Sequence, residues 1–194
     1  MGAGRGKVGK HRDALPRPSP SILARLVGGD RRSISRADQV AALVSKDPES
    51  FPELMTGLWS EDPLVRMRAA DAAEKVSRKD PALLAPHKAE LLGLMAEAEQ
   101  QEMRWHLAAM VPRLALNANE RQRAAASLKN FLNDRSSIVK TSALQGLADL
   151  ARNDDDLRCS VIELLRQAER GGTPAMKARS RKLLPRLARA SAHS

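Results

Sequence analysis

The chain has 194 residues, a formal net charge of +10 at pH 7 and one cysteine. This length is sufficient for one domain with a sizeable core, and a single cysteine excludes an internal disulfide framework and is typical of a reducing compartment. No apolar run approaches the roughly 18–20 residues that span a bilayer, and the amino terminus lacks the apolar segment of a secretory signal. We therefore expect a soluble, cytoplasmic protein.

The positive charge is concentrated at the two ends of the chain. Residues 1–20 contain five basic residues and one acid, whereas residues 171–194 contain six basic residues and no acid. The stretch between them is therefore neutral. Because glycines and prolines interleave the first 20 residues, that segment cannot bury apolar surface and is predicted to be a disordered basic arm.

Helical periodicity and turn signals account for the remainder, residues 21–190, as a single domain, and no alternating run indicates a strand. Two turns, Asp62-Pro63 and Asp80-Pro81, place an N-cap before a proline at the first helical position. The predicted fold class is all-α. In chain order, the expected helices cover residues 21–27, 36–45, 49–59, 62–78, 80–95 with a kink at Pro86, 100–116, 119–133, 136–151, 155–170 and 173–190.

An internal repeat organises these helices. An apolar–basic pair recurs at spacings of 38, 36 and 37 residues. The pairs are Val65-Arg66, Met103-Arg104, Val139-Lys140 and Met176-Lys177. Four residues after the apolar member come Ala69, Leu107, Ala143 and, departing from the pattern, Ser180; eleven after it come Val76, Leu114, Leu150 and Leu187. Pro112 and Pro185 also occupy equivalent places, which predicts a kink at the same point of two helices.

A period near 37 with two helices per unit predicts a right-handed α-solenoid of antiparallel helix pairs. Its units would lie near residues 36–60, 62–98, 100–134 and 136–170, with a closing helix over 173–190.

The stretch Asp62-Pro63-Leu64-Val65-Arg66, followed by Ala69-Ala70, resembles the opening of a HEAT or HEAT-like repeat. Val139-Lys140 followed by Ala143 is similar to it more loosely, and the two in-helix prolines also resemble HEAT first helices. The resemblance covers about residues 36–190. It implies a scaffold for diverse partners, with the second helix of each unit lining a concave binding surface.

The basic members of the repeated pairs form a candidate ladder of Arg66, Arg104, Lys140 and Lys177. Stacked repeats would space these charges by roughly 8–10 Å, so that the row could follow a phosphate backbone or an acidic peptide. We favour a structural interpretation, in which each basic residue pairs with an acid such as Asp62, four residues before Arg66.

The closing helix is basic and amphipathic. Its basic residues are Lys177, Arg179, Arg181, Lys182, Arg186 and Arg189. It either contacts nucleic acid, an acidic membrane or an acidic protein surface, or it caps the stack with a polar outer face. The sequence leaves both interpretations open.

Two tryptophans, Trp59 and Trp105, could form a stacking platform for a base or a peptide side chain. We expect them instead to pack at repeat interfaces.

Metal, cofactor and catalytic signals are weak. Glu102, His87 and His106 lack any metal-binding spacing, and we interpret them as surface residues. Asp154-Asp155-Asp156 lacks the pattern of a calcium loop and is explained by the dipole of the helix that it opens. Cys159 is predicted to be a small packing residue. No nucleophile has an evident base, so we expect no enzymatic activity, no metal and no cofactor.

Two functions remain. The first is a non-enzymatic interaction scaffold that binds a protein partner on the solenoid surface. The alternative is nucleic-acid binding through the basic arm and the closing helix. A sharper form of that alternative, a HEAT-like DNA-repair glycosylase, is disfavoured because the aromatic and acidic segments of that family have no match here.

Overall fold

The computed structural model describes residues 21–28 and 35–190, and these residues form ten α-helices and no strand. The all-α prediction is therefore confirmed for this part of the chain, whereas the predicted arm over residues 1–20 lies outside it. The helices are α1 (Ile22–Leu26), α2 (Ser35–Lys46), α3 (Phe51–Thr56), α4 (Pro63–Lys79), α5 (Lys88–Glu97), α6 (Gln101–Met110), α7 (Ala118–Phe131), α8 (Ser137–Leu150), α9 (Asp155–Gly171) and α10 (Pro174–Ala190). Short 3₁₀ segments cover Pro48–Ser50, Gly57–Trp59, Pro81–His87, Val111–Arg113 and Ala151–Asn153.

The helix starts follow the capping residues of the sequence. The Asp62 side chain accepts a hydrogen bond of 2.8 Å from the Leu64 amide at the start of α4. Asn117 and Glu120 form a reciprocal capping box at the start of α7. Asp154 accepts from the Leu157 amide at 2.9 Å, which accounts for the first acid of the triplet without a metal ion.

The local structure at three prolines differs from what helical periodicity alone predicts. Asp80 caps its segment as expected, but Pro81 opens a 3₁₀ segment, and the α-helix begins only at Lys88. Pro112 and Pro185, predicted to act alike, differ. Helix α6 ends at Met110 and is followed by a 3₁₀ turn that contains Pro112. In contrast, α10 continues through Pro185 to Ala190. The expectation of a long helix over 100–116 is therefore wrong.

The even-numbered helices from α2 onward pack against one another in succession. The helices α2, α4, α6, α8 and α10, here called the first-helix row, make extensive successive contacts. Each of α3, α7 and α9 also packs against a member of the row, and α5 contacts α6 less closely. Contacts within this other series are weaker: α5 contacts α7, and contacts between α7 and α9 are sparse.

The core lies along the first-helix row. Ala69, Leu107, Ala143 and Ser180, which occupy equivalent places in successive members of the row, are all fully buried. The residues seven positions further on, Val76, Leu114, Leu150 and Leu187, are also buried. Ser180 therefore takes a core place despite its hydroxyl group.

The backbones of α6 and α8 approach each other closely at Gly146. A Cβ atom added to Gly146 would lie 2.6 Å from the Ala108 carbonyl oxygen and 3.1 Å from Leu128. Only a residue without a side chain allows this distance. None of the helices in the described ranges has the length and apolar character of a membrane-spanning segment.

Candidate binding surfaces

The first two residues of the basic ladder bond to the protein itself. The Arg66 guanidinium donates to the carbonyl oxygens of Ser60 at 2.6 Å and Glu61 at 3.1 Å, and to the side chain of Gln100 at 3.3 Å. It thus fastens the turn before α4 to the start of the next unit. The expected partner, the Asp62 carboxylate, caps the helix instead.

Arg104 has a corresponding role one unit later. Its Nε donates to the Ala98 carbonyl at 2.7 Å, its Nη1 donates to Asp134 Oδ2 at 2.6 Å, and its guanidinium lies 5.6 Å from the centre of the Phe131 ring. Burial raises the pKa of Asp134, but the Ser136 amide and the Arg104 guanidinium outweigh burial and hold that pKa below its usual value. Arg104 is therefore largely occupied by the fold.

Lys140 and Lys177, the other two ladder residues, are half-buried. Neither forms a side-chain hydrogen bond or close ion pair with the described residues, although the Lys140 charge acts on Asp134. The four equivalent positions thus divide into two arginines that tie turns together and two lysines that remain available.

The cations of α10 are mostly exposed. Arg179 donates to Gln145 of α8 at 2.7 Å, and Arg181 lies 3.5 Å from Glu169 of α9. Lys182 and Arg186 form neither a hydrogen bond nor an ion pair with the part of the chain that the structure describes, and both are exposed. Together with the half-buried Lys177, these two side chains carry the available charge of the helix.

Arg186 is best understood through Arg113, its equivalent after α6. Arg113 donates to the carbonyl of Glu74 at 3.0 Å and to the hydroxyl of Ser77 at 2.9 Å, and it also contacts the Glu74 carboxylate. Burial raises the pKa of Glu74, but hydrogen bonds and charges from Arg78 and Arg113 outweigh burial and lower it. Arg113 therefore ties α6 to α4.

Arg186 lacks the partners that Arg113 has, because the residues equivalent to Glu74 and Ser77 are different near α10. The residue of α8 that corresponds to Glu74 is Ala148. Ala151, in the 3₁₀ turn after α8, corresponds to Ser77. Arg186 instead lines an open groove of about 620 Å³ between α8 and α10, here called the α8–α10 groove. Asp149 and Arg152 in this groove pair with each other at 2.8 Å. An arginine that clamps two helices elsewhere is thus exposed here.

A second groove, of about 510 Å³, lies between α4 and α6 and is here called the α4–α6 groove. It combines an aromatic side chain with buried charged and polar groups. Its lining residues are Ala37, Met67, Arg68, Asp71, Lys75, Glu102, Trp105 and His106. The Lys75 ammonium lies between Asp38 at 2.5 Å and Asp71 at 2.7 Å.

The innermost groups of the α4–α6 groove are Arg68, Glu102 and His106, which are 1%, 9% and 8% exposed. The Trp105 and His106 rings meet edge to face, with their centres 5.5 Å apart. Burial lowers the pKa of His106 to about 4, against the opposing charges of Asp71, Glu74 and Glu102. The imidazole is therefore neutral at physiological pH, and it makes no hydrogen bond with the described residues.

Several predictions for single residues are wrong. Glu102 and His106 are buried in the α4–α6 groove rather than exposed at the surface. His87 packs against Phe51 and bonds Glu90 at 3.1 Å. Cys159, predicted to pack, is exposed. No cluster of histidine, cysteine and carboxylate residues in the described ranges has an arrangement that could hold a metal ion.

The two tryptophans have different environments. Trp105 packs against the core and lines the α4–α6 groove. Trp59 is 48% exposed in the 3₁₀ turn before α4. Packing at a repeat interface therefore describes Trp105 but not Trp59.

Two buried arginines were not recognised from the sequence. Arg68 donates to the carbonyls of Leu26 at 2.7 Å and Gly28 at 2.6 Å, and so joins α1 to α4. Arg158 donates to the carbonyls of Ala151 and Arg152 in the preceding 3₁₀ turn. The sequence signal for Arg68 is its position in the repeat. It lies three residues after Val65, as His106 lies three residues after Met103, and both side chains are buried.

No protein-family model and no curated protein matches this chain. The HEAT-like assignment therefore depends on the repeated residues and their packing, and it stays a prediction.

Proposed function

We propose that the chain is a non-enzymatic interaction scaffold of the HEAT-like α-solenoid class, which binds a protein partner along the first-helix row. The observation that carries this proposal is the close succession of the row helices, with grooves of about 620 Å³ and 510 Å³ between them. One groove of about 500 Å³ lies in the other layer, beside α7 and α9. Clefts between neighbouring helices offer a partner several separate points of contact.

The packing also favours a particular face. The resemblance to HEAT-like proteins assigns the concave surface to the second helices. However, the first helices pack closely along the row, whereas contacts between α7 and α9 are sparse. A two-layered stack curves toward its more closely packed layer, and repeat proteins use their concave surface for binding. We therefore assign the partner to the first-helix row.

The contact residues are expected at outward-facing positions and not in the ladder arginines. Arg66 and Arg104 hold turns of the fold together, so that a partner gains little from them. Trp105 is only partly buried, and Lys182 and Arg186 are exposed. Aromatic residues and arginine are the types that most often dominate binding energy at interfaces.

The test uses the full chain as immobilised bait, with covalent cross-linking and quantitative detection of retained proteins. A row variant combines Trp105→Ala, Lys182→Gln and Arg186→Gln. Its matched control combines Trp59→Ala, Lys129→Gln and Arg166→Gln, which change the same residue types at exposed positions outside the row. We expect a specific partner to be retained by the wild type and the control and lost from the row variant. Equal retention by both variants contradicts the proposed face.

A second candidate function, nucleic-acid binding, is favoured by one observation. Helix α10 contains no acid, and its Lys182 and Arg186 have no acceptor among the described residues. Phosphate contacts through such side chains release counterions, so that affinity falls steeply with salt.

This candidate is tested with random single-stranded and duplex DNA at two salt concentrations. The double variant Lys182→Gln, Arg186→Gln removes two phosphate contacts and is expected to reduce the slope of log affinity against log salt by roughly 2. The control Lys129→Gln, Arg166→Gln leaves the slope unchanged. Absence of binding by the full chain at low salt eliminates this function.

A further inference from the structure

The α8–α10 groove contains two arginines whose counterparts hold a carboxylate elsewhere in the row. Between α4 and α6, the Glu74 carboxylate pairs with Arg78 of its own helix and with Arg113 of the next unit. Arg152 lies at the same offset from its repeated pair as Arg78, and Arg186 at the same offset as Arg113. Both side chains line the α8–α10 groove. The repeat therefore brings the same two cations together a second time.

The acid that these cations would hold is replaced in the second site. Its position in α8 is occupied by Ala148, which lines the groove. Glu74 and Ala148 are 6% and 4% exposed, so the two positions are about equally deep. Arg186 is exposed and forms neither a hydrogen bond nor an ion pair with the described residues. The groove thus has the basic side chains of the Glu74 cluster and an alanine where that cluster has its carboxylate.

The charges that line the α8–α10 groove do not balance. Arg152 and Arg186 accompany the single carboxylate of Asp149 among the lining residues, and Arg189 adds a third cation. The Asp149 carboxylate accepts from Arg152 Nη2 at 2.8 Å and from Gln145 Nε2 at 3.0 Å. Neither bond involves Arg186, so the five donors of its guanidinium remain for a ligand. A groove of this composition attracts an anionic group.

We propose that the α8–α10 groove binds a glutamate side chain presented by the protein partner. This inference rests on the proposed scaffold function and names the chemistry of one contact within it. The carboxylate would accept hydrogen bonds from the Arg186 guanidinium and from the donors of Arg152 that do not contact Asp149. The floor beneath it consists of Ala148, Leu183 and Leu187, which are all buried.

Two features favour a carboxylate over a nucleic-acid phosphate. In the Glu74 cluster, this fold already pairs a carboxylate with an arginine from each of two successive units, and such charge-assisted pairs are directional as well as strong. The apolar floor is the second feature. A glutamate reaches the arginines through two methylene groups that can cover this floor, whereas a phosphate group has no apolar atoms of its own.

The direct test follows the side-chain Nε signal of Arg186 by NMR in the full chain. The probes are the capped tripeptide Leu-Glu-Leu and its counterpart Leu-Gln-Leu, which has the same shape without the charge. We expect a saturable shift with the glutamate peptide and at least fivefold weaker binding of the glutamine peptide. The Arg186→Gln variant identifies the signal, because only that signal is lost.

The same variant tests the arginine itself. With binding followed through the backbone amides of Leu183 and Leu187, Arg186→Gln is expected to weaken the glutamate peptide at least fivefold. The control Arg166→Gln, which changes the same residue type at an exposed position of α9, leaves the affinity unchanged.

A further variant supplies the acid within the chain. Ala148→Glu places a carboxylate at the position equivalent to Glu74, where Arg186 can pair with it. We expect this variant to bind the glutamate peptide at least fivefold more weakly and to lose the captured partner. Its control, Ala148→Gln, fills the same space without charge and is expected to bind the peptide at least threefold more tightly than Ala148→Glu. Circular dichroism melting establishes that each variant is folded, and if Ala148→Glu is not, the Arg186→Gln comparison decides.

Several results would overturn the inference. These are no saturable shift of the Arg186 signal, equal binding of the two peptides, or equal binding of the glutamate peptide by the wild type and Arg186→Gln. A thymidine dinucleotide with one phosphate carries the same single charge as the glutamate peptide. If it binds more tightly than that peptide, the groove is assigned to nucleic acid instead.

Failure of this inference is distinguishable from failure of the scaffold function. If folded Ala148→Glu still retains the partner that the row variant loses, only the glutamate subsite is wrong. If the wild type retains no protein while the glutamate peptide binds, the scaffold function fails and the chemistry of the groove stands.

Discussion

His106 is a residue whose protonation opposes folding. Burial lowers its pKa to about 4 in the folded chain, whereas an unfolded histidine titrates near 6.5. Between these two values the unfolded chain binds more protons, so stability rises with pH across that window and is lost as the pH falls through it. The full effect is about 3 kcal/mol.

Urea unfolding at pH 7, 5.5 and 4.5 measures this effect. The variant His106→Gln is expected to lose the corresponding part of the pH dependence, while His87 remains in both proteins. Glu74, Asp134 and Asp154, whose pKa values are lowered in the fold, contribute stability that is lost mainly below about pH 4.5, as the unfolded carboxyl groups titrate. Parallel pH profiles for wild type and variant would contradict the burial of His106.

Arg113 and Arg186 occupy equivalent places with different surroundings, which makes them a matched pair. Arg113→Met removes the clamp on Glu74 and Ser77 and leaves Glu74 with Arg78 alone, so we expect a loss of about 2 kcal/mol in unfolding free energy. Arg186→Met is expected to change it by less than about 0.5 kcal/mol, because the side chain is exposed. Equal losses measured by denaturant unfolding would show that Arg186 also has a structural role.

Among the elements, α8 depends on its close approach to α6. Gly146→Ala places a methyl group 2.6 Å from the Ala108 carbonyl. Overpacking of this kind costs about 1–3 kcal/mol, which exceeds the roughly 1 kcal/mol gained from the helix propensity of alanine. We therefore expect a net loss of stability.

Gly93→Ala in α5 is the control for Gly146→Ala, because no atom lies within 4 Å of the added methyl group. It is expected to stabilise the chain by about 0.5–1 kcal/mol. Thermal unfolding of the two variants should therefore shift the midpoint in opposite directions. A stabilised Gly146→Ala variant would contradict the α6–α8 packing.

Helix existence and most helix starts could be predicted because they depend on nearby residues. Asp62 and Asp154 cap the helices that follow them, and the apolar periodicity identifies the buried faces. The exceptions occur at prolines. Pro81 and Pro112 remove one backbone donor each, but the helical form that the chain then takes depends on contacts with neighbouring helices, which local patterns do not specify.

At the scale of the whole molecule, the candidate site was less predictable than the fold. The repeat correctly identified the buried series that includes Ala69 and Val76, but it did not identify Ser180, which departs from the pattern and is nevertheless buried. The charge count located the basic residues of α10. The α4–α6 groove escaped prediction because Glu102 and His106 are buried by α4, a helix more than 20 residues earlier in the chain. Charged residues such as Glu102 are usually exposed, so the sequence around Glu102 gave no indication that its side chain is buried.

The central claim, that a protein partner binds along the first-helix row, is tested most directly by hydrogen–deuterium exchange of the full chain with and without its captured partner. We predict that binding increases protection of amides in α4, α6, α8 and α10 and leaves exchange in α7 and α9 unchanged. Protection confined to α3, α5, α7 and α9 would contradict the account and assign binding to the opposite layer.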